Sequence, residues 1–247
     1  MDTVSTQASI ETADKCLGTD PENNSEQSSF VQSDVDNLDN DRTTTVYISS
    51  SMFRHLDYKK LSSKSQDAHV YAYPGATVEM MKEKFCNDNR KNALDTRNIK
   101  NIMLMCGSNN IDSILGSPKE MRNRLLMQEK SDSLAPMLDQ TNRSIESFVK
   151  FLHSWAPSAI VKVINILPRE SRCRNEVISD INRFIIQLKT KYSFVRFIST
   201  EKERFLFTNR FGCRRSFFFS PQGQDNIHLN SRGLIKLANH IKYHAHH

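Results

Sequence analysis

Asp225 and His228 stand in the run Asp225-Asn226-Ile227-His228-Leu229-Asn230, ahead of Ser231-Arg232-Gly233 and a helical period. An Asp three residues before a His can accept a hydrogen bond from one imidazole nitrogen and leave the other to deprotonate a hydroxyl. Such a pair needs a nucleophile and donors for a developing oxyanion. Ser51, Gly75 and Asn109 can supply them. Ser51 would offer its hydroxyl to His228. The backbone N–H groups of Ser51 and Gly75 and the Asn109 side-chain amide would converge on one oxygen. Each such donor removes about 3 kcal/mol of barrier when aimed at developing charge. Taken singly, each residue has a plainer role: Ser51 as a helix cap, Asn109 in an Asx turn, Gly75 in an ordinary turn after Pro74, His228 as a satisfied loop histidine. Their joint occurrence points to chemistry.

The elements around them must then place all four loops at one end of a sheet. Thr43-Thr44-Thr45-Val46-Tyr47-Ile48 is β-branched and aromatic and reads as a buried strand. It stops at Ser49-Ser50-Ser51, and a helical period starts at Met52. Further strands are expected at 69–73, 101–106, 159–167 and 194–198, and helices at 77–85, 142–155, 175–192 and 234–243. A polar, basic helix is expected over 117–130. The strand at 101–106 shows no alternation, so both of its faces should be covered. Gly107-Ser108-Asn109-Asn110 breaks it. Strands alternating with helices predict an α/β fold, a three-layer α/β/α sandwich with a parallel sheet. In such sheets ligands lie where strand C-terminal ends open into loops. Ser51, Gly75, Asn109 and His228 all fall in such loops.

Those four residues, in that order and each after a strand, resemble the four blocks of the SGNH (GDSL-type) hydrolases. Val46 to Met52 stands at the Gly-Asp-Ser block, Pro74-Gly75-Ala76-Thr77-Val78 at the glycine block, Gly107-Ser108-Asn109-Asn110 at the Gly-x-Asn-Asp block and Asp225-x-x-His228 at the last. The resemblance covers residues 44–245. It implies esterase chemistry without a metal or other cofactor, with Ser51 as nucleophile, His228 as base and Asp225 as its orienter. Ser51, Gly75 and Asn109 would be the oxyanion donors, and the partner an ester substrate. Two departures stand out: Ser49 and Ser50 replace the Gly and Asp before the nucleophile, and Asn110 replaces the Asp of the third block. Within the family, the Ile166-Leu167-Pro168-Arg169 turn, the His228-Leu229-Asn230 run and the basic character resemble SGNH-like domains of animal retroelements and the OSK domain of Oskar proteins. The latter is a non-hydrolytic RNA-binding relative.

Charge supplies the rival function. The 247 residues carry a net +6, unevenly distributed. Residues 1–42 hold ten acidic residues against Lys15 and Arg42, a net −8; the remainder has 32 basic and 18 acidic residues, a net +14. The acidic stretch is rich in Ser, Thr, Asn and Gln, with Phe30 its one aromatic residue. It reads as a disordered tail ahead of a domain at 43–247. A basic domain suits RNA or single-stranded nucleic acid, and Arg169, Arg172, Arg174, Arg210, Arg214 and Arg215 are the expected phosphate-binding set. Residues 204–219 interleave four arginines with six phenylalanines. The rings fit a surface for unstacked bases, or else a wall of the acyl pocket or a flap packed on the core, and the latter pair is the simpler reading. The two functions are therefore an active serine esterase, or an SGNH fold that binds nucleic acid without hydrolysis.

Five widely spaced cysteines with no C-x-x-C pair read as free thiols in a reducing compartment. The absence of a signal segment and of any membrane-length apolar run points to an intracellular protein, with no membrane partner. His244, His246 and His247 read as a solvated tail, not a metal site.

Overall fold

The computed structural model describes residues 42–56, 58–91, 94–116, 134–169, 171–201, 207, 218–219 and 228–246. These belong to one compact unit, Asp39–His247. Its sheet has five parallel strands: β1 (Thr43–Ser49), β2 (Gln66–Ala72), β3 (Ile99–Met105), β4 (Ile160–Ile164) and β5 (Val195–Ile198). Their order is β2-β1-β3-β4-β5. The chain runs outward from β1 to β2, then returns to β1's other side for β3. The switch point therefore lies between β1 and β3, where open α/β sheets bind ligands. Ser51 follows β1 and Asn109 follows β3.

The helices are α1 (Tyr58–Leu61), α2 (Val78–Lys91), α3 (Ser108–Leu115), α4 (Leu134–Trp155), α5 (Arg172–Lys191) and α6 (Ser231–His246). Alternation along each strand divides the core in two. Val46, Ile48, Ile102, Leu104, Val161 and Val163 pack with apolar residues of α2, α3, α4 and α5. Tyr47, Met103, Met105 and Ile164 face the other way, against Leu61, Leu237, Ile241 and Ala245 of α1 and α6. A strand covered on both faces must be apolar at consecutive positions, which is why β3 lacks alternation. This is the three-layer α/β/α arrangement.

Two expectations need correction, and one helix was not anticipated. Met52 does not begin a helix: residues 51–56 form turns, with Arg54 N–H donating to the Ser51 carbonyl at 3.1 Å and Leu56 N–H to that of Phe53 at 3.0 Å. The apolar spacing of Met52, Phe53 and Leu56 is met by two tight turns that bury all three. Conversely, the Gly107 stretch starts helix α3. Gly107 holds φ +93 as its N-cap, and Ile111, Ile114 and Leu115 give it a buried face at helical spacing. A Cβ at Gly107 would also lie 3.0 Å from Ile166 Cδ1. Finally, α6 continues to His246, so His244 and His246 belong to a helix; His244 stacks edge-on against His240 and Tyr243.

Helix α4 starts at Leu134, eight residues before its clear periodicity, and accepts Pro136 in its first turn. The expected helix over 117–130, the acidic stretch 1–41 and His247 lie outside the described residues. Among the described residues, no helix is long and apolar enough to cross a membrane.

Candidate active site

The first strand ends in a sharp change of direction at Ser49-Ser50-Ser51. Ser49 is fully buried, and its Oγ accepts from the Phe53 backbone N–H at 2.9 Å. Its carbonyl accepts from the Tyr73 N–H at 2.9 Å, joining this elbow to the start of the glycine loop. The serine in the Gly position of the first block thus satisfies a buried donor of the adjoining turn. Ser51 is half-buried at the apex.

His228 reaches that apex from the opposite end of the chain. Its Nε2 lies 2.6 Å from Ser51 Oγ. Residues 229–233 fix the backbone that carries the ring. Asn230 Oδ1 accepts from the Gly233 N–H at 3.0 Å as the cap of α6, and Asn230 Nδ2 donates to the Phe219 carbonyl at 3.1 Å. The Asn230 N–H donates to the Phe218 carbonyl at 3.0 Å. Leu229, next to His228, is buried. Asp225 lies outside the described residues.

Gly75 sits after β2, in a turn closed by the Ala76 N–H and the Tyr73 carbonyl at 3.1 Å. Its φ is +74, and a Cβ built there would meet nothing within 4 Å. Pro74-Gly75 is the sequence signature of a type II turn, in which the second central residue needs a positive φ. Glycine is required here by backbone conformation, and the space beside it is open.

Asn109, the second residue of α3, donates through Nδ2 to the Ala76 carbonyl at 2.9 Å. The amide's second hydrogen is not used by that bond. Asn110, the departure in the third block, is buried and doubly engaged. Its Oδ1 accepts from the Val78 N–H at 3.0 Å, and its Nδ2 donates to Glu79 Oε2 at 3.2 Å. Burial alone would raise the Glu79 carboxyl. Hydrogen bonds from Ser144, its own backbone N–H, Thr77 and Asn110 outweigh that and hold it below its ordinary value. Cys106, at the end of β3, is pushed up to about 12 by burial and by the Glu79 charge, which leaves an inert thiol.

The expected phosphate-binding arginines separate. Arg169 points inward, its side chain 5% exposed. It donates to both Asp112 carboxylate oxygens at 2.7 Å, and to the Ser108 carbonyl at 2.6 Å and Oγ at 3.1 Å. Arg174, 14% exposed, donates to the same carboxylate at 3.2 Å. The Arg169 guanidinium is thus turned to Asp112 and the start of α3, while Arg174 gives its Nε to the same carboxylate. Sequence reasoning missed this role since Asp112 is 57 residues from Arg169. Arg172 is exposed and pairs with Glu176 across one helical turn. Arg210, Arg214 and Arg215 lie outside the described residues. Of the phenylalanine-rich segment, Phe207 and Phe219 are buried and Phe218 half-buried. Phe207 makes edge contacts with Phe218 and Phe219, at 5.9 and 6.1 Å between ring centres. These three form a flap packed on the α6 side of the core.

No family model and no curated protein matches the chain. Solved structures do. A member of the lipolytic G-D-S-L family from Veillonella parvula is 15% identical over 80% of this chain and 95% of its own, with a TM-score of 0.54. An acetylxylan esterase from Geobacillus stearothermophilus is 12% identical over 81% and 92%, with a TM-score of 0.56. The OSK domain of Drosophila Oskar is 13% identical over 80% and 86%, with a TM-score of 0.49. The chain has the fold of the SGNH (GDSL-type) hydrolases.

Proposed function

We propose that this protein is a serine hydrolase acting on carboxylic esters. The observation that carries the reading is the 2.6 Å contact between Ser51 Oγ and His228 Nε2 at the switch point of the sheet. In the tautomer that leaves Nε2 unprotonated, His228 accepts the Ser51 proton as Oγ attacks the ester carbonyl. Asp225, three residues earlier, would hold the Nδ1 proton. The tetrahedral oxyanion would take donors from the Ser51 and Gly75 N–H groups and from the second hydrogen of the Asn109 amide. His228 then returns the proton to the departing alkoxide, leaving an acyl-serine and an alcohol. Water, deprotonated by His228, attacks the acyl-serine and releases the acid and Ser51.

Ser49, in the Gly position of the first block, is compatible with this chemistry, because its hydroxyl supports the elbow from within. The nucleic-acid reading has less support: Arg169 and Arg174 are engaged by Asp112.

A fluorophosphonate probe tests the proposal. Covalent labelling of the parent is expected, with complete loss in Ser51→Ala and loss of at least about 100-fold in rate in His228→Ala. An unlabelled, folded parent would overturn it.

A further inference from the structure

We infer that Asn110 and Glu79 form a positioning pair that sets the spacing between two oxyanion donors, Gly75 and Asn109; this rests on the hydrolase reading. Gly75 sits in the turn after β2 and Asn109 in the first turn of α3, after β3, and neither strand pairs with the other. Sheet geometry alone therefore leaves their spacing loosely defined. Three hydrogen bonds join the first turn of α3 to the Gly75 turn and the start of α2. Asn109 Nδ2 reaches the Ala76 carbonyl, Asn110 Oδ1 takes the Val78 N–H, and Asn110 Nδ2 reaches Glu79 Oε2. The second of these caps the N-terminus of α2 from another element, satisfying a helix donor that has no partner within the helix. Glu79 is in turn held by Ser144 of α4 and by Thr77. The loop carrying Gly75 is thus fastened to the residue beside Asn109.

This also accounts for the amide at position 110. A carboxylate there could still accept from Val78, but its other oxygen would replace Nδ2 and face the Glu79 oxygen at 3.2 Å. Two carboxylates at that distance repel, and the Val78 contact must open or a proton must be taken up. Asparagine and glutamate are matched as donor and acceptor, and the match is reversible. Combining Asn110→Asp with Glu79→Gln would restore it with the roles exchanged.

The experiment measures the saturating labelling rate and the half-saturating concentration of a fluorophosphonate probe. It compares the parent, Asn110→Asp, Glu79→Gln and the double variant, with melting temperatures alongside. Misplacing an oxyanion donor slows the chemical step and leaves ground-state binding alone. Asn110→Asp should lose about 10- to 100-fold in saturating rate, with the half-saturating concentration unchanged. Glu79→Gln, which can still accept from Asn110, should stay within about 3-fold, and the double variant should return to within about 3-fold of the parent. The pair is overturned if Asn110→Asp labels like the parent, or if the double variant is as slow as Asn110→Asp at an unchanged melting temperature. A parent that does not label at all would instead overturn the hydrolase reading on which the pair depends.

Discussion

Ser51 Oγ and His228 Nε2 lie 2.6 Å apart with a sequence separation of 177. The contact is set partly at the far end of α6. There Asn101 of β3 donates to the Ala245 carbonyl at 2.9 Å, and Lys162 of β4 donates to the His244 carbonyl. The last carbonyls of a helix have no partner within it, and these two side chains supply donors from the sheet. Burial, and then the Arg196 charge, lower the Lys162 amine from its ordinary value. Pinned at its C-terminus by two strands and capped at its N-terminus by Asn230, the helix has one axial position. His228 is carried to the elbow as a result.

Gly233 and Gly75 should respond differently to alanine. A Cβ at Gly233 would stand 2.3 Å from the Phe218 carbonyl oxygen and 2.9 Å from Leu229 Cδ2. Gly233→Ala must push α6 from the flap and disturb the loop carrying His228. Its expected cost is about 2–3 kcal/mol, with a large loss of labelling. Gly75→Ala meets open space and costs only the left-handed backbone, about 1 kcal/mol. Denaturant melts of both variants check the contrast. Equal losses would show that the close approach at Gly233 relaxes freely.

Arg169→Ala should destabilise the protein by about 1–2 kcal/mol, since it leaves the Ser108 carbonyl without its donor and the part-exposed Asp112 with Arg174 alone. Arg172→Ala, at an exposed pair, should cost under about 0.5 kcal/mol. If the protein binds single-stranded nucleic acid, the charge-removing Arg169→Gln should leave the slope of log affinity against log salt unchanged. A slope flattened by about 0.7 would place this side chain on a phosphate instead.

Glu146 joins α4 to the end of α5. It accepts from Lys191 at 2.8 Å, from the Tyr192 hydroxyl, and pairs with Lys150 at 3.2 Å. Those partners, Lys191 first, pull its carboxyl down to about 2 from an ordinary 4.5. The folded value lies below the unfolded one, so the stabilisation is complete above about pH 4.5 and is lost as pH falls towards 2. Both lysines are more than half exposed, and screening reduces the contribution to about 1 kcal/mol. Glu146→Gln should therefore melt lower at pH 7 and converge with the parent near pH 2. A difference independent of pH would assign the loss to packing.

The sequence by itself determined the layered α/β architecture and singled out Ser51 and His228, which the fold brings within 2.6 Å. Apolar runs such as Ile102 to Cys106 declare strands covered on both faces, and Ser51, Gly75 and Asn109 each follow a strand that is legible in the sequence. The Pro74-Gly75 turn was also readable, because its backbone demand is local. Helix α3 was hidden behind Gly107, whose positive φ starts a helix where glycine usually signals a break. Only the tertiary structure decided the use of the arginines. A guanidinium looks the same in sequence whether it faces water or a carboxylate, and Asp112 reaches Arg169 through the packing of α3 against the loop after β4. The same holds for Asn110. Its departure from the family pattern is visible in the sequence, but its match to Glu79 depends on a hydrogen bond between α3 and α2, which follow strands the sheet keeps one strand apart.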